Sequence, residues 1–88
     1  MSDTTDTKSA EHDRIVLGQA LRELRHRAGM TQEQLAARLG VDATFVGRLE
    51  RGKRGARWHT VRRVVHALGA STRQFADAID RHDSSSDR

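Results

Sequence analysis

The chain has 88 residues, with 16 Lys or Arg against 12 Asp or Glu, and it contains neither cysteine nor proline. A chain of this length holds one small domain with a thin core, so a second copy is expected to add buried surface. The lack of cysteine excludes a disulfide scaffold and thiolate metal sites. No apolar run approaches the roughly 18 residues that span a bilayer, and MSDTTDTKSAEHD has no signal-peptide core. A cytoplasmic protein without membrane contact is therefore expected.

The net charge of +4 is unevenly placed. Residues 1 to 13 carry −3 and residues 67 to 88 carry −1, while residues 44 to 66 hold seven bases and one acid. A cationic block of that density is suited to a phosphate backbone.

Taken in chain order, residues 1–13 are polar and without pattern and read as a disordered tail. The folded domain is expected over 14–81. Its first helix runs from about Arg14 to Ala28, with Leu17, Leu21, Leu24 and Ala28 on one stripe and Gly29 beyond its end. A second helix starts at Thr31, whose hydroxyl can cap it while Gln34 reaches back from three residues on; Met30 and Leu35 form a hydrophobic staple. Leu35, Ala36 and Leu39 are its buried face, and small Ala36 allows a neighbouring helix close. Gly40 supplies a left-handed turn and Asp42 caps a third helix, whose inward residues are Val46 and Leu49. The segment from Gly52 to Arg57 breaks the periodicity. Trp58, Val61, Val64, Val65 and Leu68 then mark a fourth helix, ended by Gly69. Ser71 and Gln74 repeat the capping box before a fifth helix carrying Phe75, Ala78 and Ile79. Residues 82–88 read as a second disordered tail.

Two short helices joined by a glycine turn, at 31–51, have the form of a helix-turn-helix. The motif TQEQLAxxLGV, the following xxTFVxRLERG and the GKR run resemble the phage repressor and Cro group, also called XRE-like regulators. That resemblance implies an all-α, compact five-helix lambda-repressor-like DNA-binding domain. It also implies that the third helix enters the major groove of double-stranded DNA, as a homodimer on a two-fold operator with half-sites about one helical turn apart. The small size, the DxTFV helix and the absence of a ligand domain look similar to the controller proteins of restriction-modification systems. Antitoxins are a comparable option. Repression and activation both remain open.

By the same resemblance, Ala43, Thr44, Gly47 and Arg48 are the base-facing positions. Arg48 alone among them has a long polar side chain, and its fork suits guanine O6 and N7. Gly47 stands where a serine or other side chain is usual; either it permits close approach to DNA or it is tolerated on an exposed face. Phe45 has two readings as well, contact with DNA or packing against the loop and the fourth helix. Gln32 with the second helix's N-terminus, and Arg51, Lys53, Arg54 and Arg57, are the phosphate contacts. Arg25 and Glu50 occupy positions that pair as a structural salt bridge in related repressors. Trp58 replaces a leucine and Ala56 a proline, which alters the loop before the fourth helix. Phe75, Ala78 and Ile79 are candidates for the dimer interface, with simple core closure as the alternative.

Other chemistries find little support. His59 and His66 are two helical turns apart, farther than a helical i, i+4 metal pair, and no cysteine or nearby acid completes a ligand set. The serines lie in caps and the terminal segment, so no catalytic residue, metal or cofactor is expected. RNA stacking would have only Phe45, Phe75 and Trp58 to draw on. The rival is a protein-interaction module that binds a protein partner, with DNA binding secondary or lost.

Overall fold

A computed structural model of the chain describes residues 3–86, with side chains described for 9–84. The described residues form α1 (Asp3–Arg27), α2 (Gln32–Leu39), α3 (Ala43–Glu50), α4 (Trp58–Ala67) and α5 (Thr72–Ser86), and no strand. All five expected helices are present, and apolar residues from each meet in one core. Leu21, Leu35, Val46, Leu49 and Val64 are its largest fully buried members.

The helix starts and stops follow from local chemistry. Thr31 accepts from the Gln34 N–H at 3.0 Å while the Gln34 amide oxygen accepts from the Thr31 N–H at 2.8 Å. Ser71 and Gln74 make the same pair of bonds at 3.0 and 2.7 Å. Each box satisfies two of the N–H groups that a helix start leaves without partners. Gly40, in the left-handed region at φ 72°, closes α2 and lets the Val41 N–H reach the Ala36 carbonyl at 3.0 Å. Asp42 occupies the N-cap position of α3, but its side chain makes no cap bond. The expected cap is thus positional only, and the first bond of α3 is backbone, Phe45 N–H to the Asp42 carbonyl at 3.0 Å.

Three further expectations need correction. The terminal segments are not patternless tails throughout: α1 begins at Asp3 and α5 runs to Ser86, while residues 1, 2, 87 and 88 lie outside the described residues. His12 meets Asp83 at 2.6 Å, and Glu23 holds Arg81 and, at 2.9 Å, His82. These partners are 58 to 71 residues apart in sequence, so only the α1–α5 crossing brings them together. The buried stripe of α1 is Val16, Ala20, Leu21 and Leu24, whereas Ala28 is exposed and Leu17 half-buried. Of the apolar residues that mark α4, Val61, Val64, Val65 and Leu68 are buried, whereas Trp58 is 58% exposed.

The packing of α2 against α4 includes a reciprocal device. Arg63 of α4 donates to the last carbonyl of α2, Leu39, at 3.1 Å, and Arg38 of α2 donates to the last carbonyl of α4, Ala67, at 3.0 Å. Each helix therefore satisfies a C-terminal acceptor of the other, and each cation sits at the negative end of a helix dipole.

Candidate nucleic-acid interface

The position of α3 is set at its C-terminal end. Arg25 of α1 donates through Nε to Glu50 Oε2 at 2.6 Å and through Nη2 to Oε1 at 2.9 Å, a two-pronged pair. Its Nη1 donates to the Met30 carbonyl at 2.8 Å, and Gln32 Nε2 donates to Glu50 Oε1 at 3.0 Å. Arg25 and Glu50 are each 7% exposed, and hydrogen bonding to Glu50 raises the Arg25 pKa above its ordinary value. The cluster ties α1, the start of α2 and the end of α3 to one carboxylate.

Two glycines make that junction close. A Cβ at residue 18, in mid-α1, would lie 2.5 Å from the Glu50 carbonyl oxygen and closer still to that of Leu49. Only a hydrogen fits there, so the end of α3 rests directly on the α1 backbone. Gly52 follows at φ +73°, and a Cβ there would come within 2.9 Å of Ile15 Cγ1. Left-handed backbone and close approach coincide at this residue, which favours glycine twice over. Helical periodicity does not reveal Gly18, because an isolated glycine in a helix carries no sign of what lies against it.

The far face of α3 is where the groove-facing residues were expected. Thr44 and Arg48 are exposed, and Ala43 and Phe45 are half-buried and packed against the core. Phe45 lies beneath the Arg54 guanidinium, whose central carbon is 4.4 Å from the ring centroid. That cation–π contact follows the packing alternative for Phe45 and joins α3 to the loop. Gly47 is buried, contrary to its placement as an outward residue. The Arg51 guanidinium covers it: a Cβ at 47 would lie 2.9 Å from Arg51 Nη1 and 3.6 Å from Gln32 Oε1.

Lys53, Arg54 and Arg57 are exposed on the turn between α3 and α4. Gln32 is half-buried and already donates to Glu50, so a phosphate at the α2 N-terminus would meet its remaining amide hydrogen and the backbone N–H groups. Arg22, absent from the expected contacts, lines a cleft of about 230 Å³ together with Arg25, Gln32, Glu50 and Arg51. The sequence does carry a hint of it, since Arg22 lies one turn before Arg25. Phe75 and Ala78, expected as a dimer face, are 9% and 0% exposed and serve the core; Ile79 is partly buried against it. Ala78 and Ala20 are both fully buried members of the one core. Among the described residues no group of three or more His, Cys, Asp or Glu could hold a metal ion, and no helix is long and apolar enough to cross a membrane.

A family described as "Helix-turn-helix domain" matches residues 16–78. The chain belongs to the helix-turn-helix family. It is 36% identical over 67 residues to the uncharacterized HTH-type transcriptional regulator y4dJ of Sinorhizobium fredii, covering 76% of this chain and 87% of that protein. The restriction-modification controller protein C.AhdI from Aeromonas hydrophila has a solved structure similar to this one. Its TM-score is 0.66 at 38% identity, over 72% of this chain and 96% of the other. The clp gene regulator ClgR from C. glutamicum matches with a TM-score of 0.71 at 36% identity, over 82% and 90%.

Proposed function

We propose that this protein is a sequence-specific, double-stranded-DNA-binding transcriptional regulator that acts as a homodimer on a two-fold operator, with α3 in the major groove. The observation that carries the reading is the junction of a fixed helix with a charged rim. Glu50 and Gly18 hold the end of α3 on α1, its opposite face shows Thr44 and Arg48, and Lys53, Arg54 and Arg57 stand beside it. Arg48 would read a base edge, and the three cations with the α2 N-terminus would hold phosphates and set the register. Similarity to both a restriction-modification controller and a gene regulator supports regulation as the shared role. The reading assigns no catalytic role, no cofactor and a cytoplasmic location beside the DNA.

With Phe75 and Ala78 taken into the core, the exposed large apolar side chains among the described residues are Ile15, Val41 and Trp58. Trp58 is the most exposed of them and is tilted against Phe75 at 6.3 Å between ring centroids, and it is the candidate for contact with a second copy. Trp58→Glu should sediment as a monomer at concentrations where the wild type is a dimer; an unchanged dimer would remove Trp58 from the interface. The function itself is tested by selecting bound duplexes from a random pool near physiological salt. A palindromic consensus is expected. No enrichment would overturn the DNA reading in favour of the protein-interaction module.

A further inference from the structure

We infer that Arg51 is a specificity-determining residue that reads a base edge from the place Gly47 vacates, rather than a phosphate anchor. The inference rests on the DNA-binding reading above and deepens it.

The angular position of Arg51 is the first ground. At 3.6 residues per turn, Thr44, Arg48 and Arg51 fall within about 60° of arc, with Arg51 between Thr44 and Gly47. The Arg51 N–H donates to the Gly47 carbonyl at 3.0 Å, so residue 51 still follows the helical path one turn beyond Gly47. Lys53, Arg54 and Arg57 lie past the end of α3, on the turn. Arg51 is thus the last residue whose side chain departs from the reading face itself.

The direction of the side chain is the second ground. Long side chains on a helix lean back toward its N-terminus. Arg51 does so far enough to bring Nη1 within 2.9 Å of the point where a Cβ at residue 47 would stand. Any side chain at 47 would claim that space. Glycine leaves it open, and the guanidinium occupies it, which is why Gly47 is buried although it lies on the outward side of α3. A planar fork of N–H donors therefore sits in the middle of the surface that otherwise offers only Thr44 and Arg48. A guanidinium there fits the paired acceptors of guanine. The mid-helix glycine and the arginine four residues later act as one unit, the first making room for the second.

A phosphate has its own place beside this surface, in the cleft that Arg22, Gln32 and Arg51 line with Arg25 and Glu50, so the Arg51 guanidinium borders both that cleft and the space above Gly47. The two roles differ in what they do to sequence preference. A phosphate contact weakens binding to all duplexes alike and lowers the salt slope, and a lysine can replace the arginine. A bidentate base contact discriminates among base pairs and needs the fork.

The test is duplex selection from a random pool with the wild type, Arg51→Lys, Arg51→Ala and Gly47→Ala, each checked by circular dichroism for an unchanged fold. The inference expects a wild-type consensus with a guanine in each half-site whose selection disappears in both Arg51 variants. Affinity for the consensus should fall roughly 5- to 150-fold, with little change on unrelated duplexes. Gly47→Ala, which keeps Arg51 but displaces its guanidinium, should alter preference at that same base pair. If Arg51→Lys keeps the full consensus, or Arg51→Ala weakens all duplexes equally, Arg51 is a phosphate contact and the inference is overturned while the DNA reading stands. If the wild type enriches nothing, the DNA reading fails and takes the inference with it.

Discussion

Glu23 and Arg25 stand two residues apart on α1 and hold opposite sides of the molecule. Arg25 faces α3 and meets Glu50 with both partners 7% exposed. Glu23 faces α5 and gathers Arg27, Arg81 and His82 at the surface, where the Arg81 side chain is 45% exposed. The chemistry is the same and the consequences are not. Removing one partner from the buried pair strands a charge away from water, whereas the surface cluster exchanges protein partners for solvent. The helix that would read DNA is fixed by the first pair and is nearly indifferent to the second.

The strongest way to break this contrast is Glu50→Ala. It leaves Arg25 buried without its carboxylate and removes the acceptor of Gln32, for an expected loss of about 3–5 kcal/mol. That is a large part of the roughly 5–15 kcal/mol that holds a domain of this size. Thermal melts by circular dichroism should show the variant largely unfolded at 37 °C, and a melting temperature within a few degrees of the wild type would refute the weight given to the pair. Next in size is Gly18→Ala, which sharpens the comparison because it leaves every charge in place. Its methyl group would press on the carbonyls of Leu49 and Glu50, backbone that has no rotamer to yield, for an expected loss of about 1–3 kcal/mol. A melt unchanged by this substitution would mean that the ion pair alone sets the α1–α3 junction.

The smallest effect is expected on the other side of α1. The hydrogen bond from Arg81, with His82, and the charges of Arg81 and Arg27 hold the Glu23 carboxyl below its ordinary 4.5 against the opposing effect of partial burial. A carboxyl whose pKa is depressed by folding stabilises the fold fully above the unfolded value and loses that contribution as pH falls through the folded value. Glu23→Gln should therefore melt a few degrees below the wild type at pH 7, with the difference closing as the pH falls below about 4.5 and shrinking in high salt. A difference that widened in acid would contradict this assignment.

What was legible in the sequence was local. The capping boxes at Thr31 and Ser71, the turn at Gly40 and the inward residues Leu35, Ala36, Leu39, Val46 and Leu49 each depend on neighbours within about one turn, and each is found where its spacing put it. The Arg25–Glu50 pair came through family resemblance rather than spacing, and the structure forms it. The features that pattern could not reach are those whose cause lies far along the chain. Gly18 is explained only by the end of α3, and the helical ends of the chain only by the α1–α5 crossing. Ala78 is buried because it belongs to the core that all five helices share, not because an apolar stripe seeks a second copy. Gly47 came through the same resemblance and lies on the outward side of α3, but neither resemblance nor spacing shows that the arginine one turn later folds back over the position and buries it.

The most direct measurement of the central claim is the affinity of the wild type and of Arg54→Ala for one selected duplex across a series of salt concentrations. Lys53, Arg54 and Arg57 in each of two subunits imply a wild-type slope of log affinity against log salt of about −5, at roughly 0.9 per neutralised phosphate, and a loss of about one unit per subunit in the variant. Two chains per duplex and that change in slope are the predicted result. Binding that does not respond to salt, or that shows no preference over random competitor DNA, would contradict the account.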